Sequence, residues 1–300
     1  MQQAIRDFEL AKQFLRPASI KRYRVIFEQL RLFCAACSIE YVDQFTPDHG
    51  TWLFNELVRP KRDPKGNTDR VLAPMPRTVN KYLQTIRALF NDEVARRHVA
   101  HNPMLHIRNL RVESDRPEYY TRDELRRFFS QRMPDAYRMA FIGLLYTGVR
   151  FSELANLRWE DVDLEAGTLS IRSRPIARIK TVRSERVLPM SPVLLKELPG
   201  MLTRRTSETF VFCSVNGVRM KESTLLSACK SIGARAGITS RLFLHKFRHT
   251  FATHMVQRKQ PLEAIKELLG HASVRETEIY AHNTSDHLAQ EIAALDDLLA

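Results

Sequence analysis

The apolar pattern of this chain lapses once and then restarts, and that break limits its fold more than any other feature. Apolar residues recur at helical spacing up to about residue 110, and the repeat is lost across RVESDRPEYYTRDEL. Thr121 and Glu124 then form a T-x-x-E capping box, which predicts a new helix. Because 300 residues exceed what one hydrophobic core usually serves, we predict two domains. Their predicted bounds are 1–112 and 120–300, with a linker at 113–119.

Helices dominate the predicted N-terminal domain. One helix should begin after a Ser19 N-cap and run to about residue 37, since apolar residues fall on one of its faces. A second long helix should begin at Thr78 for the same reason. Between them, residues 59–77 contain four prolines, which exclude a continuous helix and predict a loop.

The predicted C-terminal domain mixes helices with a few strands. Helical patterns occupy about 121–132 and 136–147 and begin again at 151 and near 222. Between the last two lie three strand-like runs, TLSIRS, RIKTVRSERVLPM and ETFVFCS. The whole sequence therefore predicts a mainly α fold, with a small antiparallel sheet in the second domain.

Net charge is the strongest global indication of a partner. The chain carries a formal charge of +13 at pH 7, an excess that usually marks a polyanionic partner. A generally solubilising basic surface is the alternative interpretation. Five basic residues on the predicted helices, and Arg77 at the end of the predicted loop, are candidate DNA contacts. The five are Lys21, Arg22, Arg24, Lys81 and Arg87.

Hydropathy predicts a cytoplasmic protein. No run of eighteen apolar residues occurs, and the opening MQQAIRDFELAKQF is charged and amphipathic, unlike a signal peptide. Cys34 and Cys37 form one CxxC, but this pair lies in a helical run and no second pair with zinc spacing follows. We expect reduced, packed thiols and no membrane association.

The stretch LFLHKFRHTFATHM combines a core face with an unusual polar face. Phe247, Phe251 and Met255 recur every four residues and predict a helix with one buried stripe. The adjoining face carries His245, Arg248 and His249. A helix that only packs rarely clusters cationic and titratable side chains beside its core, so the cluster indicates a functional site.

Six residues of the second domain would together suffice for phosphoryl transfer. Two guanidiniums and one or two imidazoles can donate hydrogen bonds to the non-bridging oxygens of one phosphate, and the planar fork of arginine suits that geometry. A tyrosine beside such cations is a nucleophile, and a lysine protonates the leaving oxygen. The sequence shows no carboxylate cluster for Mg²⁺, and we expect no cofactor. The residues are Arg150, Lys180, His245, Arg248, His271 and Tyr280.

In order and spacing these residues resemble the tyrosine recombinase (phage integrase) family. The matching text is TGVRFSEL, LHKFRHTFATHM and LLGHASVRETEIYAH, and the resemblance spans nearly the whole chain. It implies a helical, SAM-like core-binding domain followed by an α+β catalytic domain. It further implies site-specific cleavage and rejoining of duplex DNA through a 3′-phosphotyrosine. The enzyme would be a monomer when free, a tetramer on two synapsed DNA sites, and associated with the nucleoid.

The resemblance also assigns a role to each residue that matches the family pattern. Tyr280 would be the nucleophile, and Arg150 and Arg248 would clamp the phosphate. His271 would donate to the same oxygens. His245 would orient or deprotonate the tyrosine.

The leaving 5′-hydroxyl would be protonated by Lys180, although Arg178 and Arg183 lie close to it in the same predicted hairpin. His249 and His254 are interpreted as packing or surface histidines and receive no role. Glu153 follows Arg150 by three residues, so it either holds that guanidinium or is a solvated helix charge.

The end of the chain predicts an amphipathic helix at about 285–299. Residues 281–300 contain acidic residues and no Lys or Arg, which favours a protein partner over DNA. In the family such a helix often docks into a neighbouring protomer. The apolar positions are Leu288, Ile292, Leu295 and Leu299.

Two other classes of function remain open at this point. A type IB topoisomerase would use a similar set of tyrosine, arginine and histidine to relax supercoils as a monomer. A non-catalytic DNA-binding regulator would explain the net charge. The separate helical domain and the acidic terminal helix disfavour the first class, and Tyr280 with its partners disfavours the second.

Overall fold

The computed structural model describes residues 1–15, 17–62, 71–112, 117–174 and 185–281. Contacts divide the chain into two compact units, Met1–Ser114 and Asp115–Ala300, and each unit is described by itself. The finer domain bounds and the linker at 113–119 stay predictions. Within the described ranges, no helix is long and apolar enough to cross a membrane.

Among its described residues, the N-terminal unit contains four helices and a two-stranded ribbon. Its core joins Ile26, Phe27 and Leu30 of the second helix to Leu83 and Phe90 of the fourth, all of them buried. These residues recur three and four positions apart, so each helix buries one face. The elements are α1 (Gln2–Ala11), α2 (Pro17–Ala36), α3 (Pro47–Val58), β1 (Lys61–Arg62), β2 (Val71–Leu72) and α4 (Pro76–Ala95).

Both predicted helix starts in this unit were too late in the sequence. α2 begins at Pro17 and α4 begins at Pro76, whereas Ser19 and Thr78 were the predicted positions. Proline suits the first turn of a helix, because its φ is already helical and its missing N–H needs no partner there. Ser19 therefore lies inside the first turn of α2 and is not its N-cap.

The predicted loop at 59–77 contains a short ribbon at its base. β1 and β2 pair in antiparallel fashion, with Lys61 opposite Leu72 and Arg62 opposite Val71. The ribbon was not predicted, because two-residue strands are too short to leave an alternating pattern in the sequence.

The described part of the C-terminal unit is mainly helical with one small sheet, and the predicted fold class is confirmed. Its helices are α5 (Arg122–Ser130), α6 (Asp135–Thr147), α7 (Phe151–Leu154), α8 (Pro192–Thr203), α9 (Glu222–Arg235), α10 (His245–Gln257), α11 (Leu262–Leu269) and α12 (Arg275–Glu278). The strands β3 (Val162–Asp163), β4 (Thr168–Ile171) and β5 (Arg186–Pro189) form an antiparallel sheet in the order β3-β4-β5. Leu169 in the central strand pairs with Val162 on one side and Leu188 on the other.

One strand-like run was interpreted wrongly. ETFVFCS forms isolated bridges, between Phe210 and Arg158 and between Cys213 and Arg219, and no continuous strand. Its apolar residues are buried even so, since Val211 and Phe212 are each 2% exposed. Burial without regular pairing produces the same sequence pattern as a strand.

Side-chain caps precede helices α5 and α8 of this unit. The predicted capping box is confirmed, because Thr121 accepts from the backbone N–H of Glu124 and Glu124 accepts from that of Thr121. α8 was not predicted. Its N-cap Ser191 accepts from the backbone N–H of Leu194 at 3.4 Å.

Helix α10 packs against α6 and α11 and carries much of the site described next. Its Phe247 is fully buried and stacks on Phe141 with ring centroids 5.3 Å apart. The predicted stripe is only partly correct, because Phe251 and Met255 are half-buried. On the polar face, Arg248 is 1% exposed, whereas His245 is exposed.

Candidate active site

A tight turn between α6 and α7 positions Arg150. Gly148 ends α6 with φ of 64°, a left-handed conformation that favours glycine. A Cβ at this position would lie 2.4 Å from Cδ1 of Phe251, so the turn also needs the missing side chain. Arg150 then becomes the N-cap of α7, with its side chain partly exposed.

Glu153 holds this guanidinium in place. Its Oε1 accepts from Nη1 of Arg150 at 2.9 Å, and its Oε2 accepts from the backbone N–H of Arg150 and from Nη2 of Arg186, each at 3.0 Å. Burial alone would raise the pKa of Glu153, but the Arg186 and Arg150 charges outweigh it and keep the pKa below its usual value. The alternative of a solvated helix charge is therefore excluded.

Arg248 is a buried cation that is hydrogen-bonded to two backbone carbonyls. Nη1 donates to the Gly148 carbonyl at 2.9 Å and Nη2 donates to the Leu269 carbonyl at 2.8 Å. Its Nε is buried and has no hydrogen-bond partner within the described part of the chain. Burial, followed by repulsion from Arg150, lowers the pKa of Arg248 to about 9, so the group stays protonated at neutral pH.

His245 and His249 lie one helical turn apart at the start of α10. The rings of His245 and His249 lie edge to face, with centroids 4.7 Å apart. His245 keeps an exposed edge, yet loss of water around the rest of the ring, then His249, Arg248 and Arg150, lower its pKa to about 4. Burial and Arg248 also lower the pKa of His249 to about 4. Both imidazoles are neutral at pH 7.

Tyr280 follows α12 and is 1% exposed. Its ring belongs to a small buried cluster with Ala252 and Leu269. Its hydroxyl lies 2.8 Å from Nδ1 of His249, which accepts the phenolic proton when its own proton is on Nε2. Burial raises the pKa of Tyr280, and the Arg248 and Arg150 charges oppose that rise.

His271 stands in the turn after α11. Gly270 ends that helix with φ of 65°, and Nδ1 of His271 lies 2.8 Å from the hydroxyl of Thr277. Burial is the first cause that lowers the pKa of His271 to about 3, followed by Arg248 and Arg150. The neutral ring therefore lies beside both arginines, with one nitrogen fixed by Thr277.

Comparison with known proteins identifies the class of this site. The sequence model of the phage integrase family matches residues 118–287, more than half of the chain. This chain belongs to the phage integrase family. Tyrosine recombinase XerA of Pyrococcus furiosus is 32% identical over 227 residues, covering 72% of this chain and 73% of that protein. XerC of Oceanobacillus iheyensis is 30% identical over 228 residues, covering 71% and 72%. The protein is thus an enzyme of the tyrosine recombinase class.

Solved structures share the fold of this tyrosine recombinase. The integrase of transposon Tn1549, solved with a circular intermediate DNA, has a TM-score of 0.75 at 17% identity and covers 98% of both chains. A lambda integrase dimer bound to a COC′ core site has a TM-score of 0.74 at 15% identity, covering 95% and 96%. At such identities the likeness concerns the fold alone.

Five of the six predicted catalytic residues lie within the described part of this tyrosine recombinase. Each interacts electrostatically with at least one other member of the set. Lys180 lies outside the described residues, as does the predicted helix at 285–299. The five are Arg150, His245, Arg248, His271 and Tyr280.

Sequence reasoning missed His249, which contacts this set, and Arg186, which is linked to it through Glu153. His249 was interpreted as a packing or surface residue, although it contacts the Tyr280 hydroxyl. Its position, one helical turn after His245, was the available signal. Arg186 was not singled out, because one arginine among several in a predicted hairpin has no distinguishing pattern.

The predicted DNA contacts divide into two groups. On α2 and α4, five of these residues are exposed. Arg87 differs, because its guanidinium donates to the carbonyls of Met104 and Ile107 and to the side chain of Asn109. We therefore leave Arg87 out of the proposed DNA surface. The exposed five are Lys21, Arg22, Arg24, Arg77 and Lys81.

Proposed function

We propose that this tyrosine recombinase cleaves and rejoins duplex DNA at specific sites through a covalent bond between Tyr280 and a 3′-phosphate. One observation carries the proposal: the Tyr280 phenol shares one buried site with Arg150 and Arg248, beside neutral imidazoles. The DNA in the solved structures of transposon and lambda integrases supports DNA as the partner.

The two arginines are suited to hold the scissile phosphate. Nε of Arg248 is a buried donor without a partner among the described residues, and Glu153 orients the fork of Arg150. His271 and His245 stand beside them as further donors. Charge that develops on the phosphorus oxygens would meet donors fixed beforehand, which is usually the largest contribution to such catalysis.

Cleavage needs one proton removed and one supplied. The Tyr280 oxygen attacks phosphorus, the bond from phosphorus to the 5′ oxygen breaks, and the phenolic proton passes to an imidazole. His249 is the acceptor within reach at 2.8 Å, and His245 is the next ring along α10. Lys180 remains the proposed donor to the 5′ oxygen. The reverse attack by a 5′-hydroxyl restores the DNA backbone and frees the tyrosine, so no ATP is consumed.

The same proposal extends to the oligomeric state of the enzyme and to its location in the cell. Recombination between two duplexes requires several protomers, so we expect a tetramer on DNA formed from free monomers. The acidic, apolar-faced segment at 285–299 is the proposed contact between protomers. A DNA substrate places the enzyme at the nucleoid.

The test is to trap the covalent adduct and sequence the DNA in it. The purified protein is mixed with a library of nicked duplexes of random sequence, in which the short cleaved fragment diffuses away. We expect a protein-DNA adduct that resists denaturation, with a shared sequence motif in the recovered DNA. Tyr280→Phe should abolish the adduct and leave DNA binding intact, whereas Tyr146→Phe, a control on α6, should behave as the wild type.

The other outcomes separate the alternative functions. Binding without any adduct would overturn the proposal in favour of a regulator. An adduct on every sequence, together with relaxation of supercoiled plasmid, would indicate a topoisomerase. An adduct that persists in Tyr280→Phe would assign the nucleophile to another residue.

A further inference from the structure

Arg186, the first residue of β5, connects two segments of the site without belonging to the predicted catalytic set. Its side chain is 9% exposed, so the guanidinium is enclosed by the protein. Nε donates to the Leu268 carbonyl at 2.8 Å, and Nη2 donates to Oε2 of Glu153 at 3.0 Å. One planar group thus contacts the end of α11 and the carboxylate that holds Arg150.

The contact with α11 fixes the turn that carries His271. The last carbonyls of a helix lack partners within it and carry partial negative charge, so cations bind there. Arg186 donates a hydrogen bond to the carbonyl of Leu268, and Arg248 donates one to the carbonyl of the next residue, Leu269. The packing is close, because a Cβ on Gly270 would lie 2.7 Å from Nη1 of Arg186.

The contact with Glu153 governs the direction of the Arg150 fork. Glu153 distributes one negative charge between two guanidiniums, with Oε1 toward the Arg150 side chain and Oε2 toward Arg186. If Arg186 were lost, the buried carboxylate would keep one ion-paired guanidinium among the described residues, that of Arg150. Arg150 would then turn toward both of its oxygens, because arginine favours bidentate pairing with a carboxylate. That rotation would withdraw the fork from the phosphate.

We propose that Arg186 is a positioning residue for DNA cleavage, acting on Arg150 through Glu153 and on His271 through the end of α11. The proposal rests on the proposed function of the site. It assigns Arg186 no contact with DNA. Its effect is to hold two phosphate donors in the geometry needed before the phosphate arrives.

Arg174 is a matched control that lies near the same sheet. Its Nη2 donates to Asp161 and Glu160 at 2.8 Å each, and the side chain is 16% exposed. It is therefore a partly buried, ion-paired arginine like Arg186. Within the described residues, its ion pairs do not involve a predicted catalytic residue, so its loss should affect stability and not cleavage.

The experiment compares single-turnover cleavage by Arg186→Met, Arg186→Lys and Arg174→Met on a nicked duplex that the wild type cleaves. Rates are measured at saturating DNA and corrected for the folded fraction by circular dichroism. We expect Arg186→Met to cleave about 10²-fold more slowly, the size of loss that small misplacement of catalytic groups produces. Arg186→Lys should cleave on the order of tenfold more slowly than the wild type, since one ammonium cannot donate to both acceptors in the geometry of the guanidinium. Arg174→Met should match the wild type.

A second substrate distinguishes positioning from general damage. In a scissile methylphosphonate, a methyl group replaces one non-bridging oxygen and removes the negative charge, so the reaction depends less on the arginines. The defect of Arg186→Met should therefore shrink on this substrate. Equal defects on both substrates, or full activity in either Arg186 variant, would overturn the proposal. If the methionine variant does not fold, the lysine variant carries the same comparison.

Failure of this inference is distinguishable from failure of the proposed function. Absence of an adduct with the wild-type protein would refute the function itself. A wild-type adduct with normal cleavage by the Arg186 variants would refute the role of Arg186 alone.

Discussion

Helix α4 of the N-terminal unit and helix α10 of the C-terminal unit both carry basic residues, but they hold them in opposite environments. On α4, Lys81 is exposed and donates to the neighbouring Gln84 at 2.9 Å. On α10, Lys246 and Arg248 are each 1% exposed. Lys81 presents its charge to solvent, whereas α10 encloses the charges of Lys246 and Arg248.

The two environments differ in the free energy that they cost, and therefore in the kind of site that they indicate. Removing an ion from water costs several kcal/mol unless fixed partners compensate, whereas an exposed charge costs little. On α10 the partners are specific: Lys246 donates to the Ser240 hydroxyl at 2.6 Å and lies over the Tyr120 ring. Buried charges of this kind mark a site that needs fixed geometry. Exposed ones suit a DNA surface in which single charges are replaceable.

The largest effect should come from replacing the enclosed guanidinium of Arg248. Arg248→Lys keeps the charge but loses the fork that donates to Gly148 and Leu269 and offers Nε. We expect cleavage to slow by about 10² to 10³, the usual cost of one preorganised donor. Single-turnover adduct formation at saturating DNA measures it.

The control for this prediction is Arg258→Lys at the exposed end of the same helix. It makes the same chemical change without burial, and its cleavage rate should equal that of the wild type. If both variants lost activity equally, or neither did, burial would not distinguish the functional arginines of α10.

An intermediate effect should appear in the acid stability of the C-terminal unit. The pKa of His245 and of His249 is about 4, and that of His271 is about 3, all below the ordinary value of 6.5. Between pH 6.5 and about pH 4 these histidines bind more protons in the unfolded chain than in the folded one. The free energy of unfolding therefore falls as pH falls through this range. We expect Tm of the DNA-free protein to drop by about 5 °C or more across this window.

Calorimetry from pH 8 to pH 4 tests this expectation, with His271→Asn as the comparison. The variant has one fewer group to protonate on unfolding, so its Tm should depend less on pH. Above pH 7 these histidines are neutral in both states and contribute no slope. A Tm profile that is identical in the two proteins would contradict the assigned pKa of His271.

Sequence reasoning succeeded where the cause is local and failed where it is tertiary. The capping box at Thr121 and the helix around Phe247 follow from residues a few positions apart, and both were predicted. The role of His249 depends on Tyr280, which lies 31 residues further along the chain and meets it only in the folded unit. Arg186 contacts Leu268 across 82 residues for the same reason. No spacing in the sequence encodes such pairs.

The helix starts show a second limit. Pro17 and Pro76 begin α2 and α4, although a proline more often suggests a break than a beginning. The predicted catalytic positions came from the family resemblance as much as from chemistry. Burial, which separates Arg248 from the exposed Arg258 at the end of α10, became visible only in the folded structure.

The smallest effect should separate two basic residues on one helix, Lys81 and Arg87 of α4. Lys81→Gln removes an exposed charge, so the slope of log K against log salt for DNA binding should weaken by about 0.9. Its free energy of unfolding should stay within about 0.5 kcal/mol of the wild-type value. Arg87→Gln should leave this slope unchanged. It should lower the free energy of unfolding by about 1–3 kcal/mol, because partly buried backbone carbonyls such as that of Met104 lose their hydrogen-bond donor. Salt titrations of DNA affinity and urea unfolding of both variants measure the two quantities. A weaker salt slope in Arg87→Gln would return Arg87 to the DNA surface and show that internal hydrogen bonds do not exclude an arginine from phosphate binding.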